Sequence, residues 1–107
     1  MKRVAILISG RGSNMAALID AAKAENFPAE IAVVISNKGD AAGLEKAKSA
    51  GISTLVIDSK SFGKDRAAFE EKLQAALDEN HIELICLAGF MRLFTAEFVQ
   101  RWHGRML

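Results

Sequence analysis

Apolar residues in this chain follow two alternating rhythms. Short apolar or β-branched runs, Val4-Ala5-Ile6-Leu7-Ile8, Ile31 to Ile35, Ser53 to Ile57 and Ile82 to Leu87, are separated by longer mixed stretches. A run with little polar alternation, closed by a glycine as Val4 to Ile8 is by Gly10, is the pattern of a parallel strand covered on both faces. In the intervening stretches the apolar positions recur at helical spacing: Met15, Leu18, Ile19 and Ala22; Leu44 and Ala47; Phe69, Leu73, Ala76 and Leu77; then Phe98, Val99 and Trp102 on one side of a last helix from Thr95 to about His103. Ser13 or Asn14 is placed to cap the first helix and Asp40 the second, and Gly51 stands where a helix end favours glycine.

Strands alternating with helices predict an α/β domain with an open, doubly wound parallel sheet of Rossmann-like type. Right-handed crossovers give the strand order 3-2-1-4. In that order the strand 82–87 is an edge, although it reads as buried on both faces. Long apolar edges are normally covered or charged. Met106 and Leu107 are two apolar residues at which a further strand could begin. These features predict that the sheet continues in chain beyond Leu107, and that the 82–87 edge pairs with a C-terminal half or with a second copy.

The 107 residues suit one domain, 1–107; half are apolar and a quarter charged, the balance of a globular chain. A net charge of +1 argues against a nucleic-acid footprint, and no apolar stretch reaches the length of a membrane span. The basic start Met1-Lys2-Arg3 leads into an apolar run too short, and too soon broken by Gly10 and Arg11, for a secretory signal. Cys86 is the one cysteine, inside an apolar run, which fits a core position and a reducing, cytoplasmic setting. His81 and His103 are isolated and form no metal pattern, so a surface or capping role is expected of both.

In a sheet of this type ligands bind beyond the carboxyl ends of the strands, at the switch point between strands one and four. The loop there is Ser9-Gly10-Arg11-Gly12-Ser13-Asn14. Glycines let a ligand come close to the backbone, and the following helix offers free N–H groups and its positive dipole end to a phosphate. The Gly-Lys-Ser/Thr of a P-loop is absent. A dinucleotide fingerprint wants glycine where Met15 stands, and an acidic residue where strand two ends in Ser36-Asn37-Lys38. An NAD(P)-binding oxidoreductase domain is therefore the weaker alternative and a small phosphorylated ligand the better fit. A non-enzymatic interaction module, pairing through the strand-four edge, is a third reading.

The segment Ile8-Ser9-Gly10-Arg11-Gly12-Ser13-Asn14 resembles the phosphate loop of the glycinamide ribonucleotide formyltransferases, folate-dependent enzymes of purine biosynthesis. Ser36-Asn37-Lys38 with Ala42-Gly43-Leu44 and Ala50-Gly51-Ile52, and Leu87-Ala88-Gly89-Phe90-Met91-Arg92-Leu93 with Phe98-Val99 and Gly104-Arg105, resemble further segments of that family. The resemblance runs the length of the chain and implies the N-terminal half of the formyltransferase fold. It implies that Gly10, Arg11, Gly12, Ser13 and Asn14 bind the ribonucleotide. It also implies that Met91, Arg92 and Leu93, walled by Leu87, Phe90 and Val99, line the site of the co-substrate formyltetrahydrofolate, with no metal. The family's catalytic Asn, His and Asp follow in an Asn-Ile-His-Pro segment and beyond it, so no catalytic residue is expected among these 107.

Overall fold

The structure, a computed structural model, describes residues 2–24 and 28–107, so Met1 of the basic start lies outside the described residues. The elements run β1 (Lys2–Ile8), α1 (Ser13–Ala22), β2 (Ala29–Ser36), α2 (Gly43–Ser49), β3 (Ser53–Val56), a 3-10 turn (Ser59–Phe62), α3 (Arg66–Glu79), β4 (Leu84–Leu87) and α4 (Ala96–Arg101). The strands form one parallel sheet in the order β3-β2-β1-β4, as the sequence predicts.

Side chains on successive strand residues point to opposite faces, and β1 feeds both. Ala5 and Leu7 join Phe69, Leu73, Leu77, Phe98 and Trp102 beneath α3 and α4. Val4, Ile6 and Ile8 join Met15, Ile19, Leu44 and Ala47 beneath α1 and α2. That division explains why the first run carries no polar residue. Under α3 and α4 a row of rings runs Phe62, Phe69, Phe90, Phe94, Phe98, Trp102, with successive centroids 4.7–6.5 Å apart. Trp102 is buried and donates its indole N–H to Gln74 Oε1 at 2.8 Å, which satisfies its polar end.

Helix ends are where the structure departs most from expectation. The α1 N-cap is Gly12, not Ser13 or Asn14, and no side chain caps it. Asp40 does not cap α2, which starts after Ala42. The side chains of Asp65 and Thr95 cap α3 and α4, accepting from the N–H groups of Ala68 and Phe98. At the α2 end the amides of Gly51 and Ile52 reach the carbonyls of Lys48 and Ala47, and at the α3 end those of His81 and Ile82 reach Asp78 and Leu77. Both are Schellman motifs. Gly51 supplies the left-handed residue in one, and His81, with φ 54°, in the other. A left-handed conformation is strained in a residue with a side chain. We expect His81→Gly to stabilise the domain by about 1 kcal/mol, read as a raised urea midpoint.

Strand four begins at Leu84 and not Ile82, because Ile82 is the apolar residue that closes the second Schellman motif. Nor is its outer edge open between Ile85 and Leu87. The amides of Ile85 and Leu87 donate to the carbonyls of Arg105 and Leu107 at 2.8 and 2.7 Å, and the Leu107 amide donates to Ile85 at 2.8 Å. The residues from Arg105 onward therefore lie parallel beside β4 and take the edge expected to pair with another segment. Val99 departs from the sequence reading as well: Phe98 and Trp102, one turn apart, face the core, whereas Val99 points away and is half exposed.

Candidate functional site

All four strands end on the same side of the sheet, and the loops that leave them meet there. The loop after β1 carries Gly10, Arg11, Gly12, Ser13 and Asn14. Gly12 has φ 73° and ψ 31°, a left-handed turn that swings the chain from strand into helix. Ser13 and Asn14 form the first turn of α1 with exposed side chains. With no capping side chain, the first N–H groups of α1 remain free for an outside acceptor. The helix dipole adds a partial positive charge at the same point, and Arg11 is exposed beside it. Free amides, a dipole end and an exposed guanidinium at the sheet's switch point are chemically able to receive an anion.

The position of this loop is set from α2. The Gly43 amide donates to the Gly10 carbonyl at 3.0 Å. A Cβ on Gly43 would stand 2.7 Å from Ile8 Cδ1 and 3.2 Å from both Gly10 O and Gly12 Cα; one on Gly12 would stand 3.0 Å from Gly43 Cα. The two glycines thus allow backbone to pack on backbone. The helical rhythm of the sequence gives no sign of this contact, and glycine at the head of α2 is its only signal. Gly43→Ala should lower stability by about 1–3 kcal/mol through overpacking and move the amide resonances of Gly10 to Ser13, checked by denaturation and by NMR.

The loop after β4 carries the residues assigned to folate. Met91 and Leu93 there are 78% and 72% exposed; Leu87, the last residue of β4, and Val99, in α4, are part exposed, and Val99 is not brought against the others. Phe90 turns inward and stacks between Phe69 and Phe94. Arg92 turns inward too: Nη2 donates to the Gly63 carbonyl at 3.1 Å, and the guanidinium lies 5.0 Å from the centre of the Phe69 ring.

Three buried polar side chains without a role of their own in the sequence reading join these loops. Ser9, Asn37 and Ser59, which follow the ends of β1, β2 and β3, are almost fully buried. Asn37 occupies the region where a dinucleotide fold would use a carboxylate, and it is spent on internal hydrogen bonds to Ser9 and Ser59. Their signal in sequence is weak: a short polar residue just beyond each apolar run.

Elsewhere, His81 and His103 lie at the opposite end of the sheet, where β4 and the final segment begin. Burial pushes the Cys86 thiol up, which disfavours a reactive thiolate. A hollow of about 610 Å³ between α3 and α4 is lined by Glu70, Glu71, Glu97 and Arg101 among others; it touches the loop after β4 only at Thr95 and includes none of Gly10 to Asn14. No group of three or more potential metal ligands occurs among the described residues. No helix among them is long and apolar enough to cross a membrane.

Residues 2–107 match the formyl transferase family. The chain is 51% identical over 105 residues to the human trifunctional purine biosynthetic protein adenosine-3, covering 98% of this chain and 10% of that one. It is 42% identical to the phosphoribosylglycinamide formyltransferase of Haemophilus influenzae over 107 residues, half of that protein. The crystal structure of phosphoribosylglycinamide formyltransferase from Brucella melitensis superposes with a TM-score of 0.93 at 50% identity, covering 98% of this chain and 54% of that one. The chain thus spans about half the length of the bacterial relatives it matches.

Proposed function

We propose, for a chain that belongs to the formyl transferase family, that it forms the ribonucleotide-gripping and folate-lining part of a phosphoribosylglycinamide formyltransferase of purine biosynthesis. The observation that carries the reading is the uncapped start of α1 behind Gly12, at the sheet's switch point. The phosphate of glycinamide ribonucleotide sits against the amides of Gly12, Ser13 and Asn14, within the field of Arg11 and the helix dipole. The hydroxyl of Ser13 and the amide of Asn14, not used as caps, are free to reach the ribose.

Formyltetrahydrofolate lies against the second loop. Met91, Leu93, Leu87 and Val99 supply apolar surface, Phe90 backs them from the core, and Arg92 serves through its backbone, since its side chain is held at Gly63 and Phe69. With the two ligands side by side, the ribonucleotide amine attacks the formyl carbon to give a tetrahedral oxyanion. The chain contributes positioning to this step. The family's oxyanion-stabilising and proton-transferring residues are not among those assigned here, and both histidines are at the wrong end of the sheet. We place the protein in the cytoplasm, with any pairing to a C-terminal half or second copy on the outer side of residues 105–107.

Thermal denaturation tests the reading. Glycinamide ribonucleotide at a hundred times its Kd should stabilise the chain by about 2.7 kcal/mol, and NADPH should not stabilise it. Mixed with both substrates, the 107-residue chain should transfer no formyl group. Stabilisation by NADPH alone would contradict the assignment, and measurable transfer would contradict the division of labour.

A further inference from the structure

A buried chain of hydrogen bonds connects the two proposed half-sites. The Ser9 hydroxyl has one proton, and gives it to Asn37 Oδ1 at 2.5 Å. Its oxygen then accepts the backbone N–H of Met91 at 2.9 Å, across 82 positions of sequence. Asn37 is held in turn: its Nδ2 donates to Ser59 Oγ at 3.2 Å, its carbonyl accepts the Ser59 amide at 3.2 Å, and its own amide donates to the Ile8 carbonyl. Met91 has an exposed side chain and a pinned backbone. Ser9 is continuous with the glycine loop on one side and bonded to the folate loop on the other.

We propose that Ser9 and Asn37 are positioning residues that set the height of the Met91 backbone relative to the ribonucleotide loop, so that the two half-sites are fixed together. Ser9 makes the link, and Asn37 acts through it. By taking the only hydroxyl proton, the side-chain Oδ1 of Asn37 leaves Ser9 an acceptor toward Met91. Buried polar groups are costly unless satisfied, and a satisfied network of three such residues holds the strand ends and the Met91 backbone in one arrangement. The inference rests on the reading of the loops as ribonucleotide and folate sites.

Amide hydrogen exchange of the labelled chain, without ligand, tests the linkage first. In Ser9→Ala the Met91 amide should exchange about tenfold faster while Ile6 and Leu7 keep their protection. Asn37→Ala should accelerate Met91 too, although its own bond is to Ser9, and the double variant should be no faster than Ser9→Ala. Unchanged Met91 exchange in Asn37→Ala, or additive effects in the double variant, would overturn the proposal. Should Ser9→Ala lose its core protection, Asn37→Asp replaces it. That variant keeps an acceptor for Ser9 and should restore slow exchange, whereas acceleration equal to Asn37→Ala would refute the role. In a titration with glycinamide ribonucleotide the Met91 amide should move together with Gly12 to Asn14, and in Ser9→Ala only Gly12 to Asn14 should move. Equal movement of Met91 in that variant would refute the coupling. Absence of any ribonucleotide shift would contradict the functional reading alone, and the exchange data would still decide the linkage.

Discussion

Phe69→Ala is expected to remove about 3–5 kcal/mol of stability, a large part of what a domain of this size possesses. Phe69 is 2% exposed at the centre of the ring row, edge-on to Phe62 and stacked near Phe90. It is also the platform beneath the Arg92 guanidinium. Truncation leaves a cavity between α3 and the sheet and removes the support of both inward-turned residues of the β4 loop. Two effects should therefore appear together. Urea denaturation should show the loss in midpoint, and the amides from Phe90 to Leu93 should broaden or shift well before unfolding. A loss below about 1 kcal/mol would mean that the ring row is not the core of that face.

Ser13→Asp should separate stability from binding. At the first turn of α1 a carboxylate meets the positive end of the dipole and the uncapped amides, so the free protein should gain about 0.3–1 kcal/mol. The same carboxylate would stand where the ribonucleotide phosphate is proposed to sit. Like charges at close range cost several kcal/mol, so affinity should fall about a hundredfold or more. Denaturation and calorimetric titration read the two effects independently. A variant more stable and still fully competent to bind would place the phosphate elsewhere.

The sheet was legible because its cause is local. An apolar run such as Val4 to Ile8 needs cover on both faces, and the handedness of crossovers then fixes the order β3-β2-β1-β4. Boundaries were less legible, because the same residue types serve other ends. Ile82 reads as strand but closes the turn after α3, and Val99 reads as core but sits a turn away from the face that Phe98 and Trp102 share. Asp40 and Ser13 look like caps, yet α2 starts at a glycine that must touch the loop and α1 starts behind a left-handed glycine. Of the candidate site, the glycine-rich loop and its place at the switch point could be read directly, since strand end, glycines and helix start are adjacent in sequence. The Ser9, Asn37 and Ser59 network could not. It depends on three strand ends lying side by side, which is a property of the assembled sheet.

Gly10 to Asn14 are proposed to hold the phosphate of glycinamide ribonucleotide. The most direct test is an NMR titration of the isotope-labelled chain with that ribonucleotide, with NADPH as comparator. Saturable shifts concentrated at Gly10 to Asn14 are expected with the ribonucleotide, and none there with NADPH. Shifts at that loop with NADPH and not with the ribonucleotide would contradict the proposal.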